Sequence, residues 1–474
     1  MSWFRPRMQI ALLALLAAYF FIWPLWRLLL PIEIAQTEGW NSYHADTALR
    51  AVMRLYPSPD TLIVNNYPPL SFFVVGYLQP LFGDALYIGR VLSVLATLGV
   101  GALILRIVMQ FGGSLTAGGI AGLWYVATMV RSFHHYIGAN EPQIVALLIM
   151  LAGLSWFLAR DNAGKSVEPP ILLMVVAGFY KHNILAVPAA VFLWLLFRDV
   201  LGNGLRNWPR FWRPLIIGAG AGVLGLALCV AIWGQPFIAN LFTPRPQNIM
   251  RAINGLGRLQ FILPAMVLWA IYAWSDRTTR VARFTMIYIA VALVLYLIHW
   301  SGEAVLDSAQ FDLVIATAIG LGVAYQFAGL GAFAKRYGLE AARAVIVLIL
   351  LVRLVATTHI ESFLLLASPA YRAEVSTHAQ AARADIKTAA AIPGPVACDF
   401  KVSCRFAGKP FSYDDFRAEM IVSISQKKAA ADTTGATKPV TEQGLMRQHG
   451  LTHFRGRAES GIVSLQRVLF GRVE

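Results

Sequence analysis

Apolar residues run in blocks of about 20, the helix length that crosses the ~30 Å hydrocarbon layer of a bilayer. The blocks recur from Met8 to about Leu366 and then stop. They predict about eleven transmembrane helices: Met8–Leu30, Ala85–Gln110, Leu115–Met129, Gln143–Ala159, Ile171–Tyr180, Ile184–Phe197, Leu215–Gly234, Phe261–Trp274, Phe284–Trp300, Phe311–Gly329 and Ala344–Leu366. Two are short because Lys181-His182-Asn183 divides one long apolar run. Two short spans and one long broken helix both fit these residues, and broken helices at membrane depth normally line a cavity. A further segment, Leu70–Leu81, follows Tyr67-Pro68-Pro69 and is expected to lie at the membrane surface, since proline fixes the backbone angle and removes a donor. From about Ser368 to Glu474 the pattern is mixed and charged. The expected fold class is an all-α polytopic transmembrane bundle over residues 1–366, with a long first external loop at 31–84. A small soluble α/β domain is expected over 367–474.

Charge sets the orientation. Arg198, Arg206, Arg210 and Arg213 fall in one interspan loop, Arg277, Arg280 and Arg283 in a second, and Lys335, Arg336 and Arg343 in a third. All three loops are on the side of Arg5 and Arg7, so that side, with the N-terminus, is expected to be cytoplasmic. An odd number of crossings puts the C-terminal domain outside the cytoplasm. One external loop, Gln235 to about Gln260, breaks the rule with Arg245, Arg251 and Arg258 and no acid. These arginines suit either a pyrophosphate or anionic acceptor lipid, or ordinary head groups.

Composition agrees with the spans: 57% of the 474 residues are hydrophobic and 14% charged, where a soluble chain carries about 25% charged residues. That excludes a soluble enzyme. The net charge of +15 is largely that of short interspan loops, so nucleic acid is not an expected partner. Of three cysteines, Cys229 sits in a span as an apolar thiol. Cys398 and Cys404 form either a disulfide, if their domain lies outside the cytoplasm, or two reduced thiols on one strand. The Val396–Cys404 stretch reads as strand, and Lys427–Gly444 as a polar loop.

Four polar clusters sit at the external ends of spans, where ionisable residues are functional candidates. They are Glu38-Gly39-Trp40-Asn41-Ser42-Tyr43-His44; Asn65-Asn66-Tyr67-Pro68-Pro69-Leu70 with Gly83-Asp84 and Arg90; His134-His135 with Asn140-Glu141-Pro142-Gln143; and Ser301-Gly302-Glu303 with Asp307-Ser308-Ala309-Gln310. With Lys181 they supply carboxylates, cations and amides on one membrane face. Glycosyl transfer from a lipid-phosphate donor needs this set: a carboxylate to take the acceptor's proton and cations to stabilise the departing phosphate.

In this order and spacing the motifs resemble the C-type glycosyltransferases that use polyprenyl-phosphate sugars, the superfamily of protein mannosyltransferases and lipid A aminoarabinose transferases. The matching features are Glu38-Gly39-Trp40-Asn41 after the first span, Tyr67-Pro68-Pro69-Leu70, Phe82-Gly83-Asp84 with Arg90, Asn140-Glu141-Pro142, and Lys181-His182-Asn183 in a broken helix pair. The likeness covers roughly the first 200 residues. It implies a catalytic carboxylate at Glu38, a second acidic residue at Glu141 and a phosphate contact at Lys181, with Arg90 a further phosphate candidate. Asn41, His44, Tyr67, His182, Asn183, Asp307 and Gln310 complete the expected substrate-binding set. Where many members carry Asp-Glu in the first motif, this chain has Thr37-Glu38, so either Glu38 is the base or the base lies elsewhere.

Each residue has a plainer reading as well. Glu38 fits a solvated loop, Glu141 the start of a helix beside Pro142, Lys181 a cation snorkelling to the interface, and Asp307 with Gln310 a helix cap. No ligand spacing supports a metal, and no cofactor is expected with certainty. The function expected from the resemblance is sugar transfer at the periplasmic face of a bacterial inner membrane, from a polyprenyl-phosphate donor to a glycan, lipid or protein acceptor. A transporter or flippase of a lipid-linked sugar would use the same cavity without chemistry, but no internal repeat is present. A non-catalytic assembly partner is the third reading.

Overall fold

The computed structural model describes residues 5–201, 208–243, 245–303, 305–327, 331–356, 360–431 and 439–456. Helices α1 (Pro6–Trp26), α2 (Thr37–Arg50), α3 (Leu70–Phe82), α4 (Ala85–Gln110), α5 (Leu115–Ser132) and α6 (Gln143–Asn162) come first. They are followed by α7 (Glu168–Tyr180), α8 (Ala186–Leu195), α9 (Trp208–Trp233), α10 (Gln235–Leu241), α11 (Ile249–Gly257) and α12 (Leu263–Ser275). Then come α13 (Arg280–Trp300), α14 (Phe311–Gln326), α15 (Gly331–Tyr337), α16 (Leu339–Val355) and α17 (Glu361–Ala367). The C-terminal part holds α18 (Pro369–Ala391), β1 (Val396–Cys398), α19 (Lys401–Phe406), α20 (Asp415–Ala431), α21 (Glu442–Gln448) and β2 (Thr452–Phe454).

Helix starts follow from local chemistry. The Asp84 carboxylate accepts from the Leu86 N–H at 2.9 Å and the Ser114 hydroxyl from the Ala117 N–H at 3.2 Å. Each satisfies an amide that the first turn leaves without a partner. Helix α3 begins directly behind Pro69, so the diproline does seat the short apolar segment. Once in lipid, helices gain little from hydrophobic contact alone and pack through small residues. A Cβ on Gly122 of α5 would stand 2.4 Å from the Gly101 carbonyl oxygen of α4, so only glycine permits this approach.

Among the described residues, six helices are long and apolar enough to cross a bilayer, and a seventh crossing is present if Ile249–Phe261 and Leu263–Ser275, bent by 87°, form one span. The chain is a multi-pass membrane protein. Helix α14 is its centre: 94% of its apolar window is buried, against 11% for α9, which lies at the periphery.

Ion pairs decide how the short helices α7 and α8 run. Asp161 at the end of α6 pairs with Arg198, just past α8, at 2.5 Å and with Arg280, at the start of α13, at 2.6 Å. Glu168 at the start of α7 pairs with Arg213 of α9 at 2.9 Å. The outer ends of α7 and α8 therefore lie together, and the pair is an antiparallel hairpin with Lys181-His182-Asn183 at its tip. One broken helix would separate those ends. The same end of the bundle holds Arg343, which donates to the Tyr325 and Gln326 carbonyls, while Gln326 accepts from Ser114 at the start of α5. Residues of the three basic loops thus share one end; Arg206 lies outside the described residues.

Several expectations need correction. The 31–84 segment is mostly helical, with α2 and α3 packed together. The 235–260 loop carries α10 and α11. Strand occupies only Val396–Cys398, pairing in parallel with Thr452–Phe454, and Lys401–Phe406 is helical. The reason is the crosslink: Cys398 and Cys404 are bonded, which folds the chain back on itself within six residues. The Lys427–Gly444 stretch includes the end of α20 and the start of α21, with 432–438 outside the described residues. Closing so short a loop restricts the unfolded chain by about 2 kcal/mol. Cys398→Ser with Cys404→Ser is expected to destabilise the C-terminal part by about that amount, read as faster proteolysis of 396–456 in the intact protein; equal digestion rates would contradict it.

Candidate active site

At the end of the bundle opposite the basic loops, the tips of several helices converge on the α7–α8 turn. Helix α7 stops because the Lys181 backbone swings to an extended conformation, φ −154° and ψ 121°. The lysine turns inward rather than towards the surface and is 3% exposed. Its Nζ donates to Glu141 Oε1 at 3.1 Å and stands 3.0 Å from the centre of the Tyr67 ring. Glu141, at the mouth of α6, also accepts from the Thr37 hydroxyl at 2.9 Å. A buried ammonium is tolerable only with such a partner and ring face. Tyr67 is itself braced by Trp40, 4.8 Å away ring to ring, and Trp40 donates to the Val64 carbonyl at 3.1 Å.

A second cation joins this cluster from a distant part of the chain. Arg245, in the basic segment between α10 and α11, packs 4.8 Å above the Phe416 ring and is close enough to Lys181, Tyr67 and His182 to act on them electrostatically. Lys181 and Glu141 therefore meet beside the Tyr67 ring, with Arg245 within electrostatic reach of the lysine and the ring. Beside them a cleft of about 300 Å³ lies between α3, α4, α6 and α7, with Asn41, Ser71, Phe72, Glu141 and Tyr180 among its walls. Its polar groups include the Asn41 carbonyl oxygen and the Ser71 hydroxyl, both buried without a hydrogen-bond partner. Asn183 at the hairpin tip presents a third such oxygen, and the His182 ring is 6.5 Å from Tyr67.

Glu38 and Arg90 are brought together beside this cluster; Glu38 is one residue from Thr37 and is joined to Asn140, the neighbour of Glu141. Both are fully buried. Arg90 Nε and Nη2 donate to Glu38 Oε1 and Oε2, each at 2.8 Å, and the remaining guanidinium hydrogens go to the carbonyls of Leu28, Leu30 and Ile32. Glu38 also accepts from the Asn140 N–H at 2.9 Å and the Ile34 N–H at 2.6 Å. Every strong hydrogen-bonding direction of the carboxylate is occupied. This pair is a clasp tying α1, α2, α4 and the loop before α6, and the hydrogen bonds above engage both oxygens of Glu38 and all three nitrogens of Arg90.

His44 is buried between Trp40, at 4.3 Å, and Phe411, at 5.6 Å. Burial pushes it down to about 3, and its Nε2 is buried without a hydrogen-bond partner. Asp307 and Gln310 form a separate cluster: Asp307 pairs with Arg258 at 3.2 Å and with His135 at 3.9 Å, and Gln310 is buried one turn on. Tyr136 links the clusters, accepting from the Ser308 N–H at 3.4 Å. Among the described residues no group of three or more His, Cys, Asp or Glu side chains is placed to hold a metal ion.

Sequence reasoning missed the roof. Helix α19 lies on α2, where Glu33 accepts from the Gly39 N–H at 2.9 Å and the Val402 N–H at 3.2 Å, and a Cβ on Gly39 would meet Lys401 at 2.5 Å. Arg405 reaches Asp46 at 2.7 Å and Asp84 at 2.9 Å. Burial raises Glu33 to about 8 and Asp414 to about 6, with the Lys401 ammonium opposing both. A carboxyl raised on folding takes up a proton, so its contribution is fully present below the ordinary value near 4.5 and falls as pH rises to the folded value. Roof docking is therefore expected to weaken from about pH 4.5 to about pH 8 and then level off. Hydrogen exchange of 401–406 measured across that range should show the slope, and Glu33→Gln should leave only the part below about pH 6 that Asp414 contributes.

The architecture has a counterpart of known structure. The chain is similar to ArnT from Cupriavidus metallidurans bound to undecaprenyl phosphate, with a TM-score of 0.56 and 14% identity over 97% of this chain and 90% of that one. The chain folds as ArnT does. The apo state of that protein is matched at a TM-score of 0.43, with 17% identity over 90% of this chain and 83% of that one. The archaeal oligosaccharyltransferase AglB from Archaeoglobus fulgidus, in complex with an inhibitory peptide and a dolichol-phosphate, is matched at 0.49, with 11% identity over 95% and 69%. No protein-family model and no curated protein sequence matches the chain. The match to ArnT spans the C-terminal part as well as the bundle, so the roof belongs to the shared fold.

Proposed function

We propose that the protein is an integral membrane glycosyltransferase that moves a sugar from a polyprenyl-phosphate carrier to a glycolipid, polysaccharide or protein acceptor. The observation that carries this reading is the buried Lys181–Glu141 pair, with Arg245 alongside, in a fold shared with a protein captured with undecaprenyl phosphate. Lys181 and Arg245 hold the donor phosphate. Engaging it draws Lys181 from Glu141 and frees that carboxylate. Glu141 then takes the proton of the acceptor hydroxyl as its oxygen bonds to the anomeric carbon. The bond from that carbon to the phosphate oxygen breaks with inversion, and polyprenyl phosphate leaves on the two cations. The cleft between α3, α4, α6 and α7 is the lateral entrance for the donor, and Asn41, Asn183 and His182 face the substrate.

In this reading the short helices complete eleven crossings and the basic end is cytoplasmic. The C-terminal domain is then periplasmic, at the inner membrane of a bacterium, where an oxidising compartment suits the Cys398–Cys404 bond. The purified protein is expected to transfer sugar covalently from a synthetic polyprenyl-phosphate donor to a lipid or glycan acceptor; arms with and without EDTA read any need for a divalent ion. Translocation of the donor in vesicles without covalent product would indicate a transporter instead.

A further inference from the structure

Glu141 takes two side-chain hydrogen bonds, one on each oxygen. Lys181 Nζ donates to Oε1 at 3.1 Å, and the Thr37 hydroxyl, on the first residue of α2, donates to Oε2 at 2.9 Å. The proposed transfer separates the two contacts: Lys181 turns to the donor phosphate and leaves Oε1, and the Thr37 bond remains. A glutamate side chain without partners is spread over several staggered rotamers, each placing its oxygens elsewhere. With Oε2 held, Oε1 keeps the position in which the ammonium left it.

The reach of the hydroxyl is set by its surroundings. Asn140 ties the turn that carries Glu141 to the first turns of α2. Its N–H donates to Glu38 Oε1 at 2.9 Å, its carbonyl accepts from Asn41 Nδ2 at 2.7 Å, and its own Nδ2 donates to the Ser42 hydroxyl at 3.0 Å. On α4, a Cβ at Gly89 would stand 1.8 Å from Asn140 Oδ1, so the asparagine is also seated against that helix. The distance from Thr37 to Glu141 is therefore fixed before substrate arrives, as orientation of a reacting group requires. A hydroxyl suits this task because it donates one hydrogen bond and brings no charge. A second ammonium in its place would oppose the uptake of a proton by the carboxylate far more strongly.

We propose that Thr37 is a positioning residue for sugar transfer. Its hydroxyl holds Glu141 Oε2, so that Oε1 takes the acceptor's proton as the acceptor oxygen bonds to the anomeric carbon and the phosphate leaves with the electron pair of the broken bond. This role rests on the reading of Glu141 as the base. It is tested by steady-state transfer with the purified protein and a synthetic polyprenyl-phosphate donor, comparing Thr37→Val, Thr37→Ser, Glu141→Gln and the Thr37→Val, Glu141→Gln double variant. Thr37→Val keeps the shape of the side chain and removes the donor. It should lower kcat at least ~10-fold, the effect of one hydrogen bond to a charged group, with donor KM and unfolding temperature close to wild type. Thr37→Ser, which keeps the hydroxyl, should restore most of the rate. In the Glu141→Gln background Thr37→Val should lower kcat no further, since the group it positions is gone. Wild-type kcat in Thr37→Val, a loss confined to donor KM, or equal losses in Thr37→Val and Thr37→Ser would overturn the role of the hydroxyl, and an impaired Glu141→Gln beside them would leave Glu141 as the base. Wild-type kcat in Glu141→Gln would overturn the base assignment and the role of Thr37 with it.

Discussion

Lys181→Ala is expected to lower sugar transfer at least ~100-fold at equal amounts of folded protein, about 3 kcal/mol of transition-state stabilisation of the kind a single preorganised charge supplies. The lysine is buried, so its field on a departing phosphate is little screened by water. It is also held in position beforehand by Glu141 and by the Tyr67 ring. Lys181→Arg should recover part of the rate, since the charge is restored but a planar guanidinium does not place it where a compact ammonium does. Glu141→Gln should lower kcat by ~10²–10⁴ while changing donor KM far less, as expected of a group that acts on the acceptor proton. Because the two side chains touch, their effects should not add; a double variant no worse than the weaker single one is the signature of a shared step. Wild-type rates for Lys181→Ala and Glu141→Gln in well-folded protein would remove the proposed mechanism.

Arg90→Met and Glu38→Gln should act on stability. Removing one partner of a buried, hydrogen-bonded ion pair leaves the other charge uncompensated, at about 3–5 kcal/mol. Here the loss is at the high end of that range, because Arg90 also holds three carbonyls past the end of α1 and Glu38 also holds the amides of Ile34 and Asn140. Both variants should yield less folded protein and a lower unfolding temperature in detergent. The fraction of Glu38→Gln that folds should keep a specific activity within about tenfold of wild type, below the ~10²–10⁴ attributed to a general base. A fully stable but inactive Glu38→Gln would restore Glu38 as the catalytic base. The distinction matters because Glu38 heads the acidic motif on which the family resemblance rests. In this chain the motif carries the clasp, and Glu141 in the second acidic motif is the carboxylate that meets the lysine.

Roof docking bears on the same site. Glu33, Lys401, Asp414 and Phe416 belong to segments that close over α2 and Arg245. The C-terminal contacts come from residues 401–416, far along the chain from the motifs they cover.

Membrane residence, the positions of the long spans and the few polar residues worth weighing are all legible in the chain before it folds. Those features are local: a run of about 20 apolar residues has one stable solution in lipid, a helix with its backbone bonded internally. The split at Lys181-His182-Asn183 was visible for the same reason. That the split is a hairpin follows from packing, through the meeting of Asp161 with Arg198 and Arg280. Packing likewise paired Lys181 with Glu141 across 40 residues, spent Glu38 on Arg90 across 52, and carried Arg245 to the lysine from a separate segment. A carboxylate has the same appearance in a sequence whether its oxygens are free or fully bonded. Its chemistry is set by which partners the packed helices bring within 3 Å, and those partners are distant in the chain.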